Sequence, residues 1–148
     1  MWLPKSLVPA FTSGKWLCDR HTATLEQETL AEFISSGAYE RHLRHTRRAN
    51  AVRRAALLEA IDKHLGGIEV TGDGSGTHVV LWPNQGTSEG DLVGGAASQD
   101  VAVYGIAKYF LKAPSNAGLM LGYSGMNEQQ IREGIRRLAK AMAWDPNQ

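Results

Sequence analysis

Cysteine is almost absent from this sequence. Cys18 stands alone, so no internal disulfide can form and a disulfide-stapled scaffold is excluded. A reducing cytoplasm is the expected setting. Long apolar runs are missing as well: none approaches the roughly 18 residues that a membrane span needs. An excess of charge of one sign is also missing. Sixteen basic and fifteen acidic residues leave a formal net charge of +1. That balance gives no global attraction to nucleic acid or anionic lipid. Only a local cluster of charge can argue for either. There is no internal repeat, no low-complexity tract and no clear linker. Met1-Trp2-Leu3-Pro4-Lys5 is apolar but too short and interrupted for a signal peptide.

What is present is globular. Apolar residues make up 43% of the 148 and charged residues 21%, values that exclude whole-chain disorder. One domain of this length buries about two-thirds of its unfolded surface.

Pro4 and Pro9 predict an extended arm at the start. A first helix is expected over about Ala23 to Ser36, with Leu30, Phe33 and Ile34 on one face and Leu25 nearby. Thr24 and Gln27 have capping-box spacing, and Gly37 is the stop. A long helix follows, about Ala38 to Leu65. Leu43, Asn50, Leu57, Leu58, Ile61 and Leu65 mark one stripe. Its first half is crowded with arginine and its second half is aliphatic. The first half is therefore expected on a surface or interface, and the second in the core.

The pattern then shortens to strands. Ile68 to Val70 is a candidate. Thr71 to Gly76 is a glycine-rich turn, and Thr77 to Trp82 is the strongest strand, ended by Pro83. Thr87 to Gln99 reads as a helix weakened by three glycines. Val101 to Tyr104 and Gly118 to Tyr123 read as further strands. The last helix is the best signalled. Asn127 and Gln130 have capping-box spacing, and Met126 and Ile131 occupy the staple positions. Ile131, Ile135, Leu138 and Met142 share one face. The fold class is α+β, with helices on one face of a small, antiparallel or mixed sheet.

Certain segments are distinctive. Gln27-Glu28-Thr29-Leu30-Ala31-Glu32-Phe33-Ile34 leads through Gly37 to Tyr39-Glu40-Arg41-His42-Leu43-Arg44, then Arg47, Arg53 and Arg54. Gly76-Thr77-His78, Val103-Tyr104-Gly105, Lys108-Tyr109-Phe110 and Leu119-Met120-Leu121-Gly122-Tyr123 follow. Glu128, Ile131, Gly134 and Arg137-Leu138 complete the series. From about Leu7 to Met142 the sequence resembles the C-terminal part of the aminotransferase-like domain of MocR-type regulators. These belong to the GntR superfamily and use pyridoxal phosphate (PLP). The resemblance implies the C-terminal small domain of a fold-type-I PLP-dependent transferase. Residues 1–37 would be the end of the large domain, 38–66 the connecting helix and 67–148 the small domain.

In that family, the PLP lysine lies upstream of the segment matched here. So do the ring-stacking aromatic, the Asp for the ring nitrogen, most of the phosphate cup and the winged helix that binds DNA. Lys5 and Lys15 do not fall in the family's lysine motif. The expectation is that this chain alone holds no cofactor and has no catalytic residues. A homo-oligomeric partner or a missing large domain is expected, and DNA would be met only through a separate module. No arginine occurs from Ala55 through Ile131. The family's carboxylate-clamping arginine would fall near Ala102 or Met120, and neither can act as a bidentate fork.

Four residues are candidates for contact with substrate: His78, Tyr104, Lys108 and Tyr109. His78, Tyr104 and Tyr109 have a simpler reading as packed or hydrogen-bonded side chains, and Lys108 is the nearest cation to the clamp position, but a point charge is not a fork. Arg41, Arg44, Arg47, Arg48, Arg53 and Arg54 form a candidate polyanion or interface patch. A basic patch alone supplies only non-specific attraction, and the simpler reading is a solvated helix face paired with acids of a missing domain. Cys18 with His21, and His42 with His45, are two loose pairs rather than the convergent four ligands that zinc needs. No metal is expected. Gly72, Gly74 and Gly76 join two strands, whereas a phosphate loop opens a helix.

Overall fold

The computed structural model describes residues 2–20, 23–72, 74, 76–83, 86, 88–112, 114 and 116–143. The helices are α1 (Val8–Asp19), α2 (Thr24–Ser35), α3 (Ala38–His64), α4 (Glu89–Ser98) and α5 (Glu128–Ala141). The strands are β1 (Glu69–Thr71), β2 (His78–Trp82), β3 (Tyr104–Gly105) and β4 (Leu119–Gly122). The chain divides into two compact units, 1–43 and 44–148.

In the first unit, the expected arm is instead helix α1. Pro9 sits in its first turn, where a missing N–H costs nothing because no intrahelical acceptor faces it. The capping box expected at Thr24 is not formed. Ala23 is the N-cap of α2 and makes no side-chain cap bond. Gly37 does stop α2, with φ +71°, a conformation that glycine adopts without steric cost. Phe33 packs edge-on against Tyr39, with ring centres 5.8 Å apart. No described residue of this unit is buried. The apolar face of α2 that the sequence marks out is therefore open: Leu25, Leu30, Phe33 and Ile34 are all exposed.

The second unit holds the core. Its four strands run in the order β1-β2-β4-β3, and every pair is antiparallel, so the mixed alternative is not realised. Register places Val80 opposite both Thr71 and Met120, and Met120 opposite Tyr104. Strand alternation then separates the two faces. Val79, Leu81, Leu119 and Leu121 point into the core with Leu57 and Ile61 of α3, Leu92 of α4, and Ile131, Ile135 and Leu138 of α5. The opposite face carries His78, Val80, Trp82, Tyr104 and Met120, which stay exposed or half-buried.

Some boundaries move. The strand expected at Val101–Tyr104 is Tyr104–Gly105, because pairing with β4 begins only at Tyr104. Helix α4 starts at Glu89, capped by Ser88, whose Oγ accepts from Asp91 N. Helix α5 has the expected box: Asn127 Oδ1 accepts from Gln130 N, and Gln130 Oε1 from Asn127 N, both at 2.9 Å.

Candidate functional site

The candidate substrate residues lie on the open face of the sheet or on the turn that follows β3. His78 is exposed at the start of β2, and its Nδ1 lies 2.9 Å from Thr77 Oγ1. It pairs with Gly122. Tyr104 opens β3, two strands away. Tyr104, Lys108 and Tyr109 are brought together. The ammonium of Lys108 stands 5.6 Å from the ring centre of Tyr104 and 5.1 Å from that of Tyr109. That is cation–π range. Among the described residues, Lys108 makes no ion pair. His78 is not part of this cluster: two strand spacings, about 10 Å, separate β2 from β3.

Met120 sits between Val80 and Tyr104 on the same face. A thioether there presents no donor to a carboxylate. Ala102 lines a separate groove of about 340 Å³ with Leu57, Val103, Leu121, Ile131, Gly134 and Arg137, among others. Nothing in the sequence pointed to this groove. It opens where the chains before β3 and after β4 stop pairing, beside a helical glycine that leaves space.

The structure divides the arginine series. Arg53 donates from Nε to the Met126 carbonyl at 2.8 Å, and Arg54 from Nη2 to the Gly72 carbonyl at 3.2 Å. Both tie α3 to loops of the same unit. Arg41 donates to the Ser36 carbonyl at 3.3 Å. Arg44, Arg47 and Arg48 are exposed. Arg53 and Arg54 are thus engaged by main-chain carbonyls of their own unit.

The other charge network lies on α5. Glu133 accepts from Arg136 Nε and Nη2 and from Arg137 Nε, each at 2.8 Å. These bonds, Arg136 first, hold the Glu133 carboxyl down to about 2, and the same contact raises Arg136.

PLP chemistry needs a desolvated lysine of lowered pKa beside a carboxylate that protonates the ring nitrogen. Lys5, Lys15, Lys63, Lys108, Lys112 and Lys140 are the only lysines, and all are exposed. No described Lys, Arg, His, Asp or Glu is buried. The residues present do not fit the cofactor by themselves. Among the described residues, no group of three His, Cys, Asp or Glu is placed to hold a metal. His21, of the Cys18–His21 pair, lies outside the described residues. No described helix is long and apolar enough to cross a membrane.

No protein-family model matches the sequence. YhdI of Bacillus subtilis, an uncharacterized HTH-type transcriptional regulator, is 30% identical over 147 residues, which is 99% of this chain and 31% of that protein. MocR of Rhizobium meliloti, a probable rhizopine catabolism regulatory protein, is 28% identical over 140 residues, 94% of this chain and 28% of that protein. The chain thus spans about a third of the length of these relatives. Among solved structures, LysN from Thermus thermophilus superposes with a TM-score of 0.75 at 26% identity, over 95% of this chain and 36% of that one. LysN is an alpha-aminoadipate aminotransferase, solved with N-(5'-phosphopyridoxyl)-L-leucine. These 148 residues are homologous to the aminotransferase-like part of MocR/GntR-type regulators, and they carry the α+β C-terminal domain fold of the fold-type-I aminotransferases.

Proposed function

We propose that these residues form the ligand-closing part of an aminotransferase-like domain in a MocR-type regulator, and that alone they neither bind PLP nor catalyse transamination. The observation that carries this is the exposure of all six lysines in a chain that YhdI matches over 99% of its length. In this role the open sheet face is the wall that meets a ligand held elsewhere. Tyr104, Lys108 and Tyr109 contact its charged end, and His78 lies further along the same wall. Closure of the wall reports ligand occupancy to a separate DNA-binding module, in the cytoplasm.

The test is a PLP titration followed by visible absorbance, borohydride reduction and peptide mapping. The expected result is no stoichiometric, reducible adduct at any one lysine. A single labelled lysine would overturn the proposal and would locate a cofactor site in this chain.

A second reading is a subunit that completes a separately encoded PLP-binding part. One observation favours it: the unit 1–43 exposes Phe11, Trp16, Leu17, Leu25, Leu30 and Ile34, and large exposed apolar surface marks an interaction site. A partner that raises the unfolding temperature of this chain and restores a PLP adduct on itself would support this reading over the first.

A further inference from the structure

The side chain of Glu89 is used far from its own helix. Glu89 opens α4, but Ser88 already caps that helix. Glu89 turns instead toward the chain after β3. Its Oε2 accepts from Ile106 N at 3.0 Å and from Ala107 N at 3.1 Å, and its Oε1 lies 3.3 Å from Ala107 N. These amides open the 3₁₀ turn Ala107–Tyr109, whose N-cap, Ile106, makes no side-chain cap bond. Unpaired N–H groups at a helical start need an acceptor. A carboxylate from 17 residues upstream supplies it. Ile106 N is shared with the Gly118 carbonyl at 3.2 Å, so Ala107 N is the amide that depends on Glu89 most.

Gly105 is the counterpart of this contact. A Cβ at Gly105 would overlap the Oε1 and Cδ of Glu89. Gly105 has no left-handed φ to explain it. Its role is space: glycine here lets the carboxylate reach the main chain. The turn held in this way carries Lys108 and Tyr109, and both are exposed.

We propose that Glu89 is a positioning residue. Its carboxylate holds the 106–109 turn so that the Lys108 ammonium stands between Tyr104 and Tyr109 as a preformed docking point for the carboxylate of a small organic acid. This rests on the reading above, that Tyr104, Lys108 and Tyr109 face a ligand. A cation held by two rings rather than by an acid keeps its charge for a ligand anion.

The test uses nuclear magnetic resonance on the full chain, with acetate as the probe. In wild type, the two rings should shift the Lys108 ε-methylene signal upfield, and acetate should perturb it. In Glu89→Ala, Ala107 amide exchange should quicken by about tenfold. The Lys108 ring shift should be lost and its response to acetate weakened. Glu89→Gln keeps one acceptor oxygen and should fall between. Unchanged Leu119 and Leu121 amides show that the sheet is intact. Should Glu89→Ala fail to fold, Gly105→Ala displaces the same carboxylate and should give the same change at Lys108. An unchanged ring shift at Lys108 in both variants would overturn the positioning role. A wild-type chain that shows the ring shift but no acetate response would overturn the docking role and the ligand-facing reading, leaving Glu89 as a cap alone.

Discussion

The phenol of Tyr123 donates to the carbonyl of Gly76 at 2.6 Å, from a side chain only 1% exposed. The backbone N–H of the same residue donates to Thr77 O at 3.1 Å. Together they fasten the end of β4 to the chain entering β2. A buried hydroxyl without a partner is costly, so this bond fixes which way the Gly76 loop runs. Tyr123→Phe removes the donor and leaves the carbonyl to water. It should lower stability by about 1–2 kcal/mol, read as a shift of the urea midpoint with unchanged slope.

Gly105 and Glu89 should behave as a coupled pair. Gly105→Ala forces the carboxylate off the Ile106 and Ala107 amides. The expected cost is about 1–3 kcal/mol, the range for overpacking. In a Glu89→Ala background the same change should cost clearly less, because the clashing atoms are gone. Simple additivity in this double-mutant cycle would show that the two sites do not communicate.

Glu133 predicts an acid-side loss of stability. Its folded pKa, about 2, lies below the ordinary value of 4.5, through bonds from Arg136 and then Arg137. The folded state thus favours the ionised form. That contribution is complete above the ordinary value and fades as pH falls toward about 2. Glu133→Gln should flatten stability against pH across this window. The network is partly solvated, so added salt should shrink the difference. Urea midpoints at several pH values and two salt concentrations check both.

The two units should respond differently to loss of apolar side chains. Leu138 is fully buried, whereas Leu30 is 52% exposed. Leu138→Ala should cost about 2–5 kcal/mol through the cavity it leaves. Leu30→Ala should stay within about 0.5 kcal/mol, as surface changes do. Hydrogen exchange at the β2 and β4 amides reads the first change, and exchange at the α2 amides reads the second.

The arginines of α3 should separate in the same way. Arg53→Ala removes a bond to the Met126 carbonyl and should cost about 1 kcal/mol. The pair Arg47→Ala and Arg48→Ala should leave stability within about 0.5 kcal/mol. Any weak, salt-sensitive binding to duplex DNA should fall with the Arg47 and Arg48 pair and not with Arg53→Ala. Loss of DNA binding in Arg53→Ala with intact folding would show that Arg53 still faces the polyanion.

Local signals in the sequence were sufficient wherever a few neighbouring residues decide the outcome. The Asn127–Gln130 box, the Gly37 stop and the buried stripe Leu57, Ile61 and Leu65 need only helical spacing and a capping atom. From α2 onward the order of helices and strands, and so the α+β class, followed from hydrophobic period and glycine placement. Charge crowding in the first half of α3 correctly placed that half outside the core. Pro9 misled because proline suits an extended arm and a first helical turn equally. Local sequence cannot tell them apart.

Pairings between distant residues were settled only in three dimensions. Glu89 and Ile106 carry no shared motif, and a glutamate at the start of a helix already has a local explanation. Gly105 looks like a strand end until the carboxylate is seen beside it. Arg53 and Arg54 share the charge of Arg47 and Arg48, yet main-chain carbonyls reached through the tertiary fold claim the first two. The apolar face of α2 has helical spacing, but whether it is covered depends on what packs against it. The sequence by itself determined the elements from α2 onward, the core face of α5 and the aminotransferase-like resemblance, because these are properties of short range and of ordered motifs. Tertiary structure decided which side chains became clamps, caps and open walls, because hydrogen bonds and exclusion of volume depend on atoms far apart in the chain.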